Sequence, residues 1–300
     1  MRISTAQWYR QSTISMLDNQ SELSRTQLQL ATGERLLAPS DDPAGVTRIL
    51  ELDQRIAGVD QYQRNIDRAE SRLQREEQAL EGMGDLLQRV RELAVQGLND
   101  SLSAEDRRAI AVEVRQSLEG LVSLANEADA NGEYLFSGYR TATPPFDRNA
   151  SGDWEYRGDQ GQRLVQIGDN RHLAMGDPGD RLFMGIDDGS GGRASLFAIV
   201  EGFASDLEAD APSGNTLTAL DNAMQRLSDA RVSIGGRMNA IENQRSVNEA
   251  FSLAMEADRS ELEDLDYAEA VSRLQRQMLA LQASQQTFMK VEGLSLFNYL

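Results

Sequence analysis

Val271, Leu274, Met278, Leu281 and Phe288 recur at alternating steps of three and four, with Gln285 filling one position of the series. This spacing draws one apolar seam down a helix. Arg273, Arg276, Gln277, Gln282 and Gln286 occupy the opposite face, and neither Gly nor Pro intervenes before Gly293. A narrow seam on a long helix cannot be buried by that helix alone, so residues 260–300 require a partner. A core helix of an ordinary bundle satisfies the same periodicity.

The series returns along most of the chain. Ile49, Leu52, Ile56, Val59, Ile66, Leu73, Leu80 and Leu87 keep it over a long helix, with a break or bend expected near Gly82 and Gly84. Leu217, Leu220, Met224, Leu227, Ile234, Met238 and Ile241 keep it again, across Gly235-Gly236, a pair that permits close packing or a bend. From Arg245 to Arg259 the seam blurs. At the other end, Met16, Leu23 and Leu30 lie seven apart among Thr13, Gln20, Thr26 and Gln27. That seam is half polar, and an isolated helix of this kind is marginal in water, so residues 1–32 are expected to be poorly ordered until something packs on them.

Boundary residues divide the pattern. Gly33 has the position of a helix C′ residue. Asp41 or Asp42 can cap the next helix, with Pro43 near its first position. Ser103 with Asp106 forms a capping box ahead of Ile110, Val114, Leu118, Leu121 and Ala125, a helix expected to end at Asn131-Gly132. Residues 139–193 are rich in Gly, Asp, Asn and Pro, and short runs at Trp154 to Tyr156, Gln162 to Ile167, His172 to Met175 and Arg181 to Met184 read as strands. Leu196, Ile199, Val200, Phe203 and Leu207 then resume helical spacing. The fold class is mainly α: a long antiparallel helical bundle or coiled coil formed by the N- and C-terminal regions, with a small β-rich insert between them. The division runs 1–40 and 260–300 for terminal arms, 41–138 and 194–259 for a helical rod, and 139–193 for the insert.

Composition narrows the function classes. A net charge of -18 opposes both nucleic-acid binding and docking on an anionic membrane. No run of about 18 apolar residues exists to cross a bilayer, and the N-terminus lacks the apolar core of a cleaved secretory signal. There is no cysteine, His172 is the single histidine and Lys290 the single lysine. Nitrogen- or sulfur-ligated zinc and a P-loop therefore lack their residues, a Ser-His-Asp triad would have to use His172, which reads as a surface or structural residue in an edge strand, and no catalytic, metal or cofactor site is assigned. Residues 187–192, Asp187-Asp188-Gly189-Ser190-Gly191-Gly192, lack the EF-hand spacing and read as a turn. Asn149-Ala150-Ser151 matches a glycosylation acceptor, a tripeptide common by chance. The acidic run Glu256 to Glu269 reads as a solvated helix face. Residues 1–38 carry four arginines against three acids, and residues 245–300 carry five bases against nine acids, so the two ends attract weakly.

Several strings carry a family resemblance. Residues 261–271, Glu261-Leu262-Glu263-Asp264-Leu265-Asp266-Tyr267-Ala268-Glu269-Ala270-Val271, followed by Gln277 to Ala283, resemble the C-terminal arm of the flagellin family. Residues 32–45, with the turn Pro39-Ser40-Asp41-Asp42-Pro43, resemble its N-terminal hairpin, and the proline after the paired aspartates is typical of the hook-associated members. Gln88-Arg89-Val90-Arg91-Glu92-Leu93-Ala94-Val95-Gln96, Gly132 to Gly138 and the ending Leu294-Ser295-Leu296-Phe297-Asn298-Tyr299-Leu300 add three more, in family order. The resemblance covers about residues 1–138 and 230–300.

It implies a structural, non-enzymatic component of the bacterial flagellum between hook and filament, extracellular, exported by the flagellar type III apparatus without a cleaved signal. It implies contacts with hook-associated protein 1, with flagellin, with copies of itself in a ring and, through the C-terminal region, with an export chaperone. It also implies terminal arms that are disordered in the free subunit and coil together in the assembled tube. The apolar assembly contacts are then Met16, Leu23, Leu30, Val271, Leu274, Met278, Leu281 and Phe288, and residues 139–193 face outward. Competing readings are the bulk filament subunit, a helical tip or translocator protein of a secretion system, and an enzyme housed in the insert.

Overall fold

The computed structural model describes the backbone of residues 2–297 and the side chains of residues 7–290. In chain order the elements are α1 (Arg2–Thr32), α2 (Pro43–Gly97), α3 (Ala104–Ala125), β1 (Phe146–Arg148), β2 (Trp154–Tyr156), β3 (Leu164–Gly168), β4 (Arg171–Ala174), α4 (Gly179–Phe183), β5 (Ile186–Asp187), β6 (Arg193–Ala194), α5 (Leu196–Glu208), α6 (Asn215–Glu263) and α7 (Tyr267–Phe297). They form two compact units, Met1–Gly58 with Ala250–Leu300, and Val59–Glu249. The division falls inside α2 and α6, not at the turns near 40 and 260 where the sequence pattern changes.

In the first unit α1 and α7 run antiparallel and pack on each other. The half-polar seam of residues 1–32 calls for a partner, and α7 of the same chain packs on it. Gly33 ends α1 at φ +79, a left-handed conformation that suits a residue without Cβ, and its N–H donates to the Gln29 carbonyl at 2.8 Å. Asp42 caps α2 through Oδ1, which accepts from the Gly45 N–H at 2.9 Å. Residues 260–300 are not one helix. The chain breaks at Asp264 to Asp266, where Leu265 N–H donates to the Gly33 carbonyl and Arg35 N–H to that of Glu263. Asp266 then caps α7 by accepting from the Ala268 and Glu269 N–H groups. An aspartate read as one more charge on a solvated face is thus the start signal of a new helix.

The second unit is built on long, fully apolar seams. Ile66, Leu73, Leu80 and Leu87 of α2 are wholly buried, with Val114 and Leu121 of α3, Val200 and Leu207 of α5, and Leu220 and Ile234 of α6. The capping box at Ser103 and Asp106 is present. Three two-stranded antiparallel sheets, β1–β2, β3–β4 and β5–β6, complete the unit.

Two local expectations fail, at the end of α3 and at residues 181–184, and the glycine-containing helices run on without a break. The helix α2 passes Gly82 and Gly84 unbroken. Gly82 instead leaves room for Leu124 of α3, whose Cδ1 would lie 3.2 Å from an added Cβ. Likewise α6 passes Gly235 and Gly236 unbroken, and nothing lies within 4 Å of a Cβ at either. The third helix stops at Ala125, not at Gly132, because Asn126 turns its side chain onto Phe146. Its Nδ2 donates to the Phe146 carbonyl and its Oδ1 accepts the Phe146 N–H, both at 2.9 Å. Finally, residues 181–184 are not a strand. Adjacent Leu182 and Phe183 are both buried, which strand alternation forbids on a one-sided sheet. The short α4 delivers Phe183 to Phe136, Phe146 and Phe197, with ring centroids 5.2, 5.5 and 6.2 Å away.

One carboxyl in this unit titrates abnormally. Glu76 is buried, and its Oε1 accepts from the Asp177 N–H at 3.0 Å. Burial first, and the Asp177 charge second, push Glu76 up to about 8, against the opposing pull of Arg237, the Asp177 N–H and Arg72. The folded state therefore holds a proton that the unfolded chain releases above the ordinary carboxylate range. Stability is fully present below that range and is lost as pH rises through about 8. Replacing Glu76→Gln removes this loss. In urea titrations the variant should gain on the wild type by roughly 2–4 kcal/mol between mildly acidic and mildly alkaline pH. A constant difference between the two proteins across that window would contradict the assignment.

Candidate assembly surface

Burial defines the seam between α1 and α7. Met16, Asn19, Leu23, Thr26 and Leu30 turn inward on α1, and Ala270, Leu274, Gln277, Leu281, Ser284 and Phe288 turn inward on α7. Both sets step by four and three, the heptad spacing of a two-helix coiled coil. Apolar and polar layers alternate along it. Asn19 Nδ2 reaches Ser284 Oγ at 3.5 Å, and Thr26, nearly fully buried, returns its hydroxyl to the Glu22 carbonyl. Toward the end of the pair Phe288 stacks on Trp8 at 6.5 Å and meets the edge of Tyr9 at 4.8 Å.

The structure places six of the eight residues expected at the assembly contacts in this intrachain seam: Met16, Leu23, Leu30, Leu274, Leu281 and Phe288. The other two, Val271 and Met278, stand outside it at 43% and 45% exposure. Their places inside are taken by Ala270 and Gln277, each one residue earlier. Small and amide side chains fill a narrow seam without announcing themselves as apolar, which is why the letters favoured the neighbouring line. Trp8 and Tyr9 also escaped notice, although two adjacent aromatics in an otherwise polar arm were a visible signal.

A second line runs down the outside of the pair. Ile14, Leu17 and Leu28 are exposed at 52%, 61% and 53%. Ser21 and Ser24 lie between them on the same three-four series. Leu17, Ser21, Ser24 and Leu28, with Arg25 and Leu37, line a groove of about 540 Å³. On α7, Leu279 joins Val271 and Met278 at 66% exposure. Large apolar side chains left in water on both helices make these surfaces candidates for packing against another surface. Serines within the groove leave space for a helix backbone to approach.

No group of three or more His, Cys, Asp and Glu that could hold a metal occurs among the described residues. His172 is exposed on β4 opposite Gln166. Asp188 turns its Oδ1 onto the Ser190 and Gly192 N–H groups, closing its own turn.

The polar layers make the pair weak. Gln277 Oε1 is buried without a hydrogen-bond partner, a deficit on the order of 1–3 kcal/mol. Gln277→Leu removes it and adds an apolar layer. The variant should stabilise the arms by about 1–2 kcal/mol, read as slower amide exchange in α1 and α7. Faster exchange would show that the amide is not a liability at this position.

Models of the bacterial flagellin N-terminal and C-terminal helical regions match residues 3–141 and 217–300. The chain is 30% identical to flagellar hook-associated protein 3 of Escherichia coli over 317 aligned residues, covering 99% of each chain. The protein of the same name from Salmonella typhimurium is 29% identical, with the same coverage. Among solved structures, hook-associated protein 3 of Legionella pneumophila superposes with a TM-score of 0.68 at 23% identity, over 71% of this chain and 98% of that one. Full-length similarity at this level, on a flagellin-type pair of terminal helices, establishes that the chain belongs to the flagellar hook-associated protein 3 family, structural proteins of the bacterial flagellum.

Proposed function

We propose that the outer apolar face of the α1/α7 pair is where this structural component of the flagellar hook–filament junction packs against its neighbours. The exposed series Ile14, Leu17 and Leu28, beside a pair whose inner seam is only half apolar, carries the reading. In it, Val271 and Met278 contact neighbouring protomers directly. Met16, Leu23, Leu30, Leu274, Leu281 and Phe288 hold the arms together so that this face exists. Residues 1–40 and 260–300 serve as the assembly domain, 41–138 and 194–259 as the rod, and 139–193 face outward.

A half-polar seam suits a subunit that must pass through a narrow channel. The arms open at low cost during type III export, without a cleaved signal, and close again outside the cell as assembly covers them. An export chaperone holds the C-terminal region meanwhile. In the finished junction the chain meets hook-associated protein 1 on one side, flagellin on the other and copies of itself around a ring. The role is mechanical and involves no catalysis.

The test is the full-length double variant Met278→Asp/Leu279→Asp, introduced in place of the natural gene. Both side chains are exposed, so the protein should stay folded by circular dichroism. Filaments should be lost, with flagellin shed into the medium. Filaments of normal number and length would refute the assignment of this face.

A further inference from the structure

Within the unit Val59–Glu249, Arg68, Arg72, Arg75 and Arg163 line a concavity of about 370 Å³ together with Asp67, Asp129 and Glu133. The acids are already committed. Asp67 is bound to Arg245 at 3.1 Å, and Glu133 to Arg163 at 2.7 Å. Asp129 turns Oδ1 onto the Asn131 and Glu133 N–H groups at 2.8 and 3.0 Å. Arg163 is committed too, through Glu133, whereas Arg72 is committed only in part and Arg68 and Arg75 not at all. The Arg72 side chain is 8% exposed, and its Nη2 donates to the Tyr134 and Leu135 carbonyls at 3.0 Å. Its Nη1 is buried with no hydrogen bond, and the nearest carboxylates, Asp129 and Glu133, stand 3.6 and 3.7 Å away. Burial, then the charge of Arg163, lowers its affinity for a proton despite those acids. Arg68 and Arg75 lie four residues before and three after Arg72, on one face of α2. Neither has an ion pair or a hydrogen bond. Three guanidinium groups with unused donors face one hollow, on a protein that is otherwise strongly acidic.

We propose that this hollow receives the paired carboxylates of Asp258 and Glu261 from a second copy of the chain. The acidic run of the sequence points to these two by what its other members do. Glu256 accepts from Ser252, Glu263 pairs with Arg259, Asp264 accepts from Ser260, Asp266 caps α7, and Glu269 pairs with Arg273. Asp258 and Glu261 remain, exposed, one turn apart and without a partner. Their spacing matches that of Arg72 and Arg75. A contact between two different surfaces of identical chains repeats from copy to copy and generates a ring or a helix. The inference rests on the reading that copies of the chain meet each other, and it names the charged contact that orients them.

Sedimentation equilibrium of the full chain, at rising concentration to about 1 mM and at low and high salt, tests it. The wild type should associate, less so at high salt. Arg68→Glu/Arg75→Glu should weaken association about tenfold, Asp258→Arg/Glu261→Arg about as much, and the combined variant should return to within about threefold of wild type. Arg68, Asp258 and Glu261 are exposed and Arg75 is half-buried, so folding should survive, checked by circular dichroism. A wild type that never associates, charge reversals without effect, or failure of the combined variant to recover would overturn the proposal. So would a monomeric wild type that binds inorganic phosphate through these arginines. Association lost in Met278→Asp/Leu279→Asp but intact in the arginine variant would sink the arginine site and leave the apolar face standing.

Discussion

A helix with one narrow apolar seam is incomplete, and every described helix of this chain except the short α4 carries such a seam. The remedy is always another helix running alongside. In the unit Val59–Glu249 the seams of α2, α3, α5 and α6 converge, so residues such as Leu73, Leu80 and Val200 lose all contact with water. Each buried leucine of that kind contributes about 2 kcal/mol. The unit of chain ends has α1 and α7 with the ends of α2 and α6, and its inner layers are half polar. Two-helix packing buries one face of each partner and no more. Exposed leucines on the outside of α1 and α7 are the geometric remainder of that arithmetic.

This difference in packing grades stability along the molecule. Opening free energy follows buried apolar contact, so the α1/α7 pair belongs to the low end and the α2/α3/α5 core to the high end. The cap and ladder residues around Gly33, Arg35 and Leu265 restrain where the two arms start, while the far end is closed by the ring contacts of Trp8 and Tyr9 on Phe288. Aromatic contacts of this kind are worth about 0.5–1.5 kcal/mol beyond their burial. They fasten the pair without making it permanent.

The same grading explains what the sequence disclosed. Seams of Ile66, Leu73, Leu80 and Leu87 were legible because large apolar side chains recur there at helical spacing and all four are fully buried, so the letters and the burial coincide. Caps were legible because Ser103, Asp106, Asp42 and Gly33 act on their own neighbours. Illegible were the features decided at a distance. Asn126 ends α3 by binding Phe146, twenty residues on, and Phe183 is drawn into a helix by three rings from elsewhere. Gly82 and Gly84 left a break open, yet α2 runs on through both, since a helix held along its length by packing absorbs a loss of about 1 kcal/mol per glycine. In the arms, where Ala270, Gln277 and Ser284 do the filling, hydrophobicity pointed one residue too far.

The small and polar residues of that seam bear on specificity. A seam of leucine at every layer would be stronger, but each heptad would look like the next and the helices would fit equally well after a slip of seven residues. Asn19 against Ser284 forms a polar layer that a slip would break. Slippage by one heptad would set Asn19 against Gln277 and move Phe288 away from Tyr9. A seam that fixes one register also fixes which residues of each arm stand outside together. The polar layers that weaken the pair are therefore the same layers that give its outer face a single shape.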